Sequence, residues 1–157
     1  MSRARWIVLI LVSVAGVSAA GCGGGGSARV SAAELVQKAD AICATENARF
    51  NRVQAHSPPN ASVAADQTDE LIKVTQDANS HLRELKPPEG LQSAYDRYLD
   101  ARDRVIDQMN RGMDAARNQD SAEYGAAQAA VARASPQRMK LAEAVGLKVC
   151  SSSRASA

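Results

Sequence analysis

The sequence predicts an all-α fold: an antiparallel up-down bundle of four helices, with the last helix kinked at a proline and one disulfide bond. Three observations lead to this class. Apolar residues recur every three or four positions in four successive segments. Short stretches rich in proline, asparagine and glycine separate these segments. No segment alternates polar and apolar residues as a half-buried strand does.

The first helix begins at a capping box. The Ser31 hydroxyl can accept a hydrogen bond from a free backbone amide while the Glu34 carboxylate reaches back to the serine. We expect this helix to continue to about His56, before Ser57-Pro58-Pro59-Asn60. One face carries a stripe of mostly apolar residues at helical spacing: Leu35, Ala39, Ile42, Glu46, Phe50 and Val53. Glu46 could face a partner or a ligand cavity, but the preferred interpretation is an edge position that reaches solvent.

The second and third helices are separated by Pro87 and Pro88. A proline disfavours helical geometry in the residue before it, so helix two should span about residues 62–85. Its predicted core face holds Leu71, Val74, Ala78, Leu82 and Leu85. Helix three should span about residues 91–118, with an inward face of Leu91, Tyr95, Tyr98, Val105, Met109, Met113 and Ala116.

The fourth helix should span about residues 122–145 and contains Pro136 in its middle. Proline removes an amide donor and clashes with the preceding turn, so we expect a kink or a short break near Ser135. Gly146 is typical of a helix C-cap. The segment after it ends at Cys150, and residues 151–157 are predicted to be a disordered tail.

The amino terminus has the layout of an export signal. Arg3 and Arg5 precede an apolar run, which ends in Ala19-Ala20-Gly21 directly before Cys22. This pattern resembles the lipobox of bacterial lipoproteins, although Ala19 stands where that family most often has leucine. The resemblance implies that residues 1–21 are a cleaved signal peptide and that Cys22 carries lipid. The alternatives are an ordinary secretory signal and an uncleaved anchor, although the apolar run is shorter than the roughly 20 residues of a membrane span.

Removal of residues 1–21 would leave a flexible Gly-rich tether at 22–30 and a bundle domain at 31–150. Two cysteines then remain, Cys43 and Cys150, and an exported protein can join them in one way. Unpaired buried thiols are the alternative. The pair can meet if helix four extends past Gly146 or if the chain folds back along helix one. A link across about 108 residues would stabilise the fold by about 4–5 kcal/mol.

Charge and composition exclude some partners. The whole chain has 19 Lys+Arg and 17 Asp+Glu, and removal of Arg3 and Arg5 would leave a formal net charge of zero. Four aromatic residues would remain: Phe50, Tyr95, Tyr98 and Tyr124. A neutral chain with few aromatic residues is not expected to bind nucleic acid.

No motif in the sequence predicts catalysis or a cofactor. Five aspartates form a stripe on helix three that could bind a hard cation, but arginines run beside it and a solvated face is preferred: Asp96, Asp100, Asp103, Asp107 and Asp114. His56 and His81 should lie too far apart to share a metal. Met109 and Met113 are one turn apart, which indicates core packing rather than copper binding. Haem, di-iron, nucleophile-elbow and phosphate-loop motifs are absent from the sequence.

Three segments together look like a group of small helical exported proteins of actinobacteria. They are Lys38-Ala39-Asp40-Ala41-Ile42-Cys43, Leu85-Lys86-Pro87-Pro88 and Gly146-Leu147-Lys148-Val149-Cys150. The resemblance implies a helical bundle in the cell envelope and transfers no catalytic residue. We therefore expect a non-catalytic lipoprotein on the outer face of the cytoplasmic membrane, which acts as an interaction or binding module without cofactor or metal. The alternatives are a carrier of a small hydrophobic or lipid ligand, a metal-binding envelope protein and, least favoured, an enzyme.

Overall fold

Four helices and no strand make up residues 28–152, the part of the chain that the computed structural model describes. Helix α1 spans Ala32–Val53, α2 spans Ala61–Glu84, α3 spans Glu89–Arg117 and α4 spans Ser121–Val145. The all-α bundle predicted from the sequence is therefore confirmed. Helix α1 packs on α2, α2 on α3 and α3 on α4, whereas α1 and α4 make few direct contacts with each other.

The helix ends follow local signals in the sequence. Ser31 and Glu34 form the predicted capping box of α1, with Glu34 N–H donating to the Ser31 hydroxyl at 3.2 Å. The side chains of Asn60 and Asp120 cap α2 and α4 in the same way. Gly146 ends α4 with a φ of 92°, a left-handed conformation that glycine adopts without steric cost. These caps mark the starts of α1, α2 and α4 and the end of α4, whereas α3 begins after Pro88 without a side-chain cap.

The core consists of two apolar clusters. The disulfide cluster surrounds the cystine and contains Leu35, Ala39, Cys43, Leu82, Tyr95, Tyr98, Leu99, Ala142, Val145, Leu147 and Cys150. The second cluster lies further along α1 and α3 and contains Phe50, Leu71, Ile72, Val105, Ile106 and Met109. Three buried polar residues lie between the two clusters, one on each of α1, α2 and α3: Glu46, Asn79 and Arg102.

The chain after α4 folds back along α1. Cys43 and Cys150 form the predicted disulfide bond, with Cα atoms 5.3 Å apart. The Asp40 carboxylate accepts hydrogen bonds from the backbone amides of Lys148, Val149 and Cys150 at 3.0, 2.9 and 3.2 Å. One carboxylate and one covalent link therefore close the seam between α1 and the end of α4.

The two ends of the predicted bundle domain need correction. Residues 22–30 were expected to form a flexible tether, but Arg29 donates to the Pro87 carbonyl at 2.7 Å and Val30 N–H donates to the Lys86 carbonyl at 2.8 Å. The bundle is thus held from residue 29 onward. At the other end, Ser151 and Ser152 form a hydrogen-bonded turn with Lys148 and Val149 rather than the start of a disordered tail.

Helix α4 is continuous through Pro136, with no break near Ser135. Pro136 deprives the Ala132 carbonyl of its usual amide partner, but Ala132 is exposed and water can replace it. A kink at Pro136 and the up-down order of the helices stay predictions. Within residues 28–152, none of the helices is long and apolar enough to cross a bilayer.

Candidate functional site

A buried ion pair lies between the two apolar clusters. The Arg102 Nη2 donates to the Glu46 carboxylate at 2.8 Å, and each side chain is only 1% exposed. The Arg102 Nη1 donates to the Tyr98 hydroxyl at 3.1 Å, and its Nε donates to the side-chain Oδ1 of Asn79. Burial opposes the charged form of Arg102, but the Tyr98 hydroxyl and the Glu46 carboxylate favour it and hold the pKa of Arg102 above its usual value.

Glu46 is therefore not the solvent-reaching edge residue that the sequence indicated. It is 3% exposed and supplies the carboxylate of this polar layer. The layer continues to the surface through Asn79, whose Nδ2 donates to Asp103 at 2.9 Å, and Asp103 also binds Arg83. The Tyr98 hydroxyl further contacts the Cys43 sulfur at 3.6 Å, where it is the donor because a disulfide sulfur carries no hydrogen. The polar layer is therefore in contact with the disulfide bond.

A second guanidinium reaches this layer from α4. The Arg138 Nη1 donates to the Cys150 carbonyl at 3.3 Å, and the side chain also interacts with the Tyr98 hydroxyl. Burial lowers the pKa of Arg138, although an arginine remains protonated near neutral pH. We call Glu46, Arg102 and Arg138 the charge cluster. Its formal net charge is +1, because two guanidinium groups share the carboxylate of Glu46.

A cavity of about 320 Å³ begins at the charge cluster and is lined by all four helices. Its volume is at the lower end of the range for small-molecule sites. Arg102 and Arg138 lie in its wall, together with residues of the α1–α2 loop such as His56. The apolar part of the wall is formed by Phe50, Leu71, Val105, Met109 and Val131.

Several polar residues of this wall use their donors on the protein itself. The hydroxyls of Thr68, Thr75 and Ser135 donate to the carbonyls four residues earlier in their helices, at 2.7, 2.9 and 3.1 Å. The Gln67 amide donates to the carbonyls of Val53 and His56 at 2.7 and 2.9 Å. The middle of the cavity is therefore less polar than its residue types imply, and the guanidinium groups are its main source of charge-assisted donors.

Of the other residues considered as ligands in the sequence, His56 and Met109 line the cavity. His81 is exposed on α2 beside Asp77, so the two histidines do not form one site. On the acidic face of α3, Asp103 binds Arg83 and Asp96 accepts from Gln92. Within the described residues, no three His, Cys, Asp or Glu side chains are placed to hold a metal ion.

The two arginines of the charge cluster, Arg102 and Arg138, are not predicted from the sequence. Arg102 follows Tyr95 and Tyr98 and precedes Val105 and Met109 at alternating spacings of three and four, which is the spacing of a buried stripe.

Cys22, the predicted lipid attachment residue, lies outside the described residues. Searches of protein family models, curated proteins and solved structures find no match to this chain.

Proposed function

We propose that the mature protein is a lipid-anchored binding module of the bacterial cell envelope, and that its ligand is a small molecule held in the cavity between the helices. The observation that carries this proposal is the cavity of about 320 Å³ beside the charge cluster. Guanidinium groups bind anions and stay protonated near neutral pH. The two arginines of the cavity wall are therefore better suited to ligand binding than to acid–base catalysis.

The surface of the bundle supports a small ligand over a protein partner. A partner protein usually docks on a contiguous apolar patch. Among residues 28–152, the exposed large apolar side chain is Val63, which is 41% exposed. One isolated valine is normal for a protein surface. The interior therefore offers a more specific site than the outside, and the carrier alternative becomes the leading form of the binding-module function.

The attachment of Arg29 and Val30 supports a defined orientation at the membrane. If Cys22 carries lipid, seven residues from 22 to 28 separate the lipid from Arg29, and seven residues of any chain reach at most about 25 Å. The end of the bundle near Lys86 and Pro87 would then face the membrane. The α1–α2 loop, which lines the cavity, follows the 22-residue helix α1 and lies about 33 Å further along it.

Native mass spectrometry of the protein purified from its own membranes tests the cavity. We expect a non-covalent small molecule that leaves when the protein is unfolded. Val131→Trp, which places a large side chain in the cavity wall, should abolish this mass difference. Val63→Trp makes the same change at an exposed position and should retain it. The same non-covalent mass difference in the unchanged protein and in Val131→Trp, or no such mass difference in the unchanged protein, would overturn the proposed ligand-binding function.

A separate experiment tests the anchor. Cys22→Ala should block incorporation of radiolabelled fatty acid and leave residues 1–21 attached. Cys43→Ala removes a different cysteine and serves as the matched control, because it should leave lipid incorporation unchanged. Unchanged labelling of Cys22→Ala would contradict the anchor without affecting the cavity experiment.

A further inference from the structure

The charges around the cavity favour a negatively charged ligand. Among residues 28–152, the side chains that line the cavity include Arg102 and Arg138 but no aspartate or glutamate. The Glu46 carboxylate pairs with Arg102, whereas the hydrogen-bond partners of Arg138 are a carbonyl and a hydroxyl. A buried charge is stable when an opposite charge is nearby. Here the Glu46 carboxylate is the one negative charge of the charge cluster, beside the two guanidinium groups of Arg102 and Arg138. A bound anion would bring the net charge of this region to zero.

The side chains of the cavity wall also indicate the shape and polarity of the rest of the ligand. On α4 the lining residues run from Tyr124 to Arg138, which is about 21 Å along a helix. The guanidinium groups stand at the end near the disulfide bond, and the middle is formed largely by the apolar second cluster. The cavity is therefore elongated, with charge at one end and an apolar strip beside polar side chains along its middle.

We propose that the cavity binds an amphiphilic monoanion, with its carboxylate against the Arg138 guanidinium, beside the buried Arg102–Glu46 pair, and its hydrocarbon chain between Phe50, Leu71 and Val131. This inference rests on the proposed ligand-binding function and adds the chemical class of the ligand. Arg138 is the specificity-determining residue, because Arg102 already pairs with Glu46. Arg138 can donate paired hydrogen bonds to a carboxylate, as guanidinium groups commonly do.

Isothermal titration of the mature chain, residues 22–157 with the disulfide formed, tests this class with three ten-carbon probes. Decanoate is the anion, 1-decanol the neutral analogue and decylammonium the cation. We expect decanoate to bind at least tenfold more tightly than 1-decanol, the effect of a hydrogen bond between charged groups, and decylammonium to bind least. Arg138→Gln should abolish the preference for decanoate, and Arg138→Lys should retain part of it.

Arg133→Gln is the matched control, since Arg133 is exposed on the same helix and does not line the cavity. It should bind decanoate as the unchanged protein does. Thermal unfolding of each variant separates a loss of affinity from a loss of fold. If decanoate and 1-decanol bind with equal affinity, the anion inference is overturned. If Val131→Trp also abolishes the binding of both probes, the proposed ligand-binding function still holds. Retention of the preference in Arg138→Gln would also overturn the anion inference, as would the failure of decanoate to bind.

Discussion

Replacing Glu46 with alanine leaves the Arg102 guanidinium buried without its carboxylate. Each side chain of this pair is 1% exposed, so water solvates neither charge. Two unit charges about 4 Å apart attract by about 4 kcal/mol at an effective dielectric constant of about 20. Removal of one partner from a buried ion pair typically costs about 3–5 kcal/mol, because the other charge stays behind. We expect Glu46→Ala to lower the free energy of unfolding by about 3–5 kcal/mol.

Urea unfolding followed by circular dichroism measures this change. The matched control is Glu123→Ala, because Glu123 pairs with Arg111 at 2.6 Å with 41% and 58% of the side chains exposed, and it should cost about 1 kcal/mol or less. The double variant Glu46→Leu with Arg102→Met removes both charges and should recover most of the lost stability. Equal costs for Glu46→Ala and Glu123→Ala would refute the reasoning, as would a double variant less stable than Glu46→Ala.

Four further variants test the architecture by the same urea assay. The double variant Cys43→Ala with Cys150→Ala removes a link across 107 residues and should cost about 4–5 kcal/mol; a cost below about 1 kcal/mol would contradict this. Gly146→Ala puts a side chain at a φ of 92° and should cost about 1–2 kcal/mol. Gly125→Ala, in open space inside α4, should instead stabilise by about 0.5–1 kcal/mol, and equal effects at the two glycines would argue against the left-handed cap. Asp40→Ala removes the acceptor of three backbone amides and should cost about 2 kcal/mol, whereas no loss would show that these hydrogen bonds are dispensable.

The helices could be predicted from the sequence because their ends carry local signals. The capping box at Ser31, the prolines after Leu85 and Gly146 act within a few residues, so each helix is bounded by chemistry that is visible in the chain. The disulfide followed from the number of cysteines. The Asp40 contacts could not be predicted in the same way, because they join residues more than one hundred positions apart.

The charge cluster was only half visible in the sequence. Glu46 stands out on an apolar stripe of α1, whereas Arg102 is one of many charged residues of α3, although it lies on the stripe of Tyr98 and Val105. Opposite charges on the core-facing stripes of two helices are a signal for a buried pair, since burial without a partner is costly. The cavity itself depends on how α1 and α4 are spaced, and no local pattern encodes that distance.

A crystal structure of residues 22–157 with 10-bromodecanoate shows directly whether the cavity holds an amphiphilic anion, because the anomalous signal of bromine locates one end of the probe. We expect a carboxylate within hydrogen-bond distance of Arg138 and a bromine peak inside the cavity, toward Tyr124. A bromine peak beside Arg138, or a probe bound only outside the cavity, would contradict this expectation.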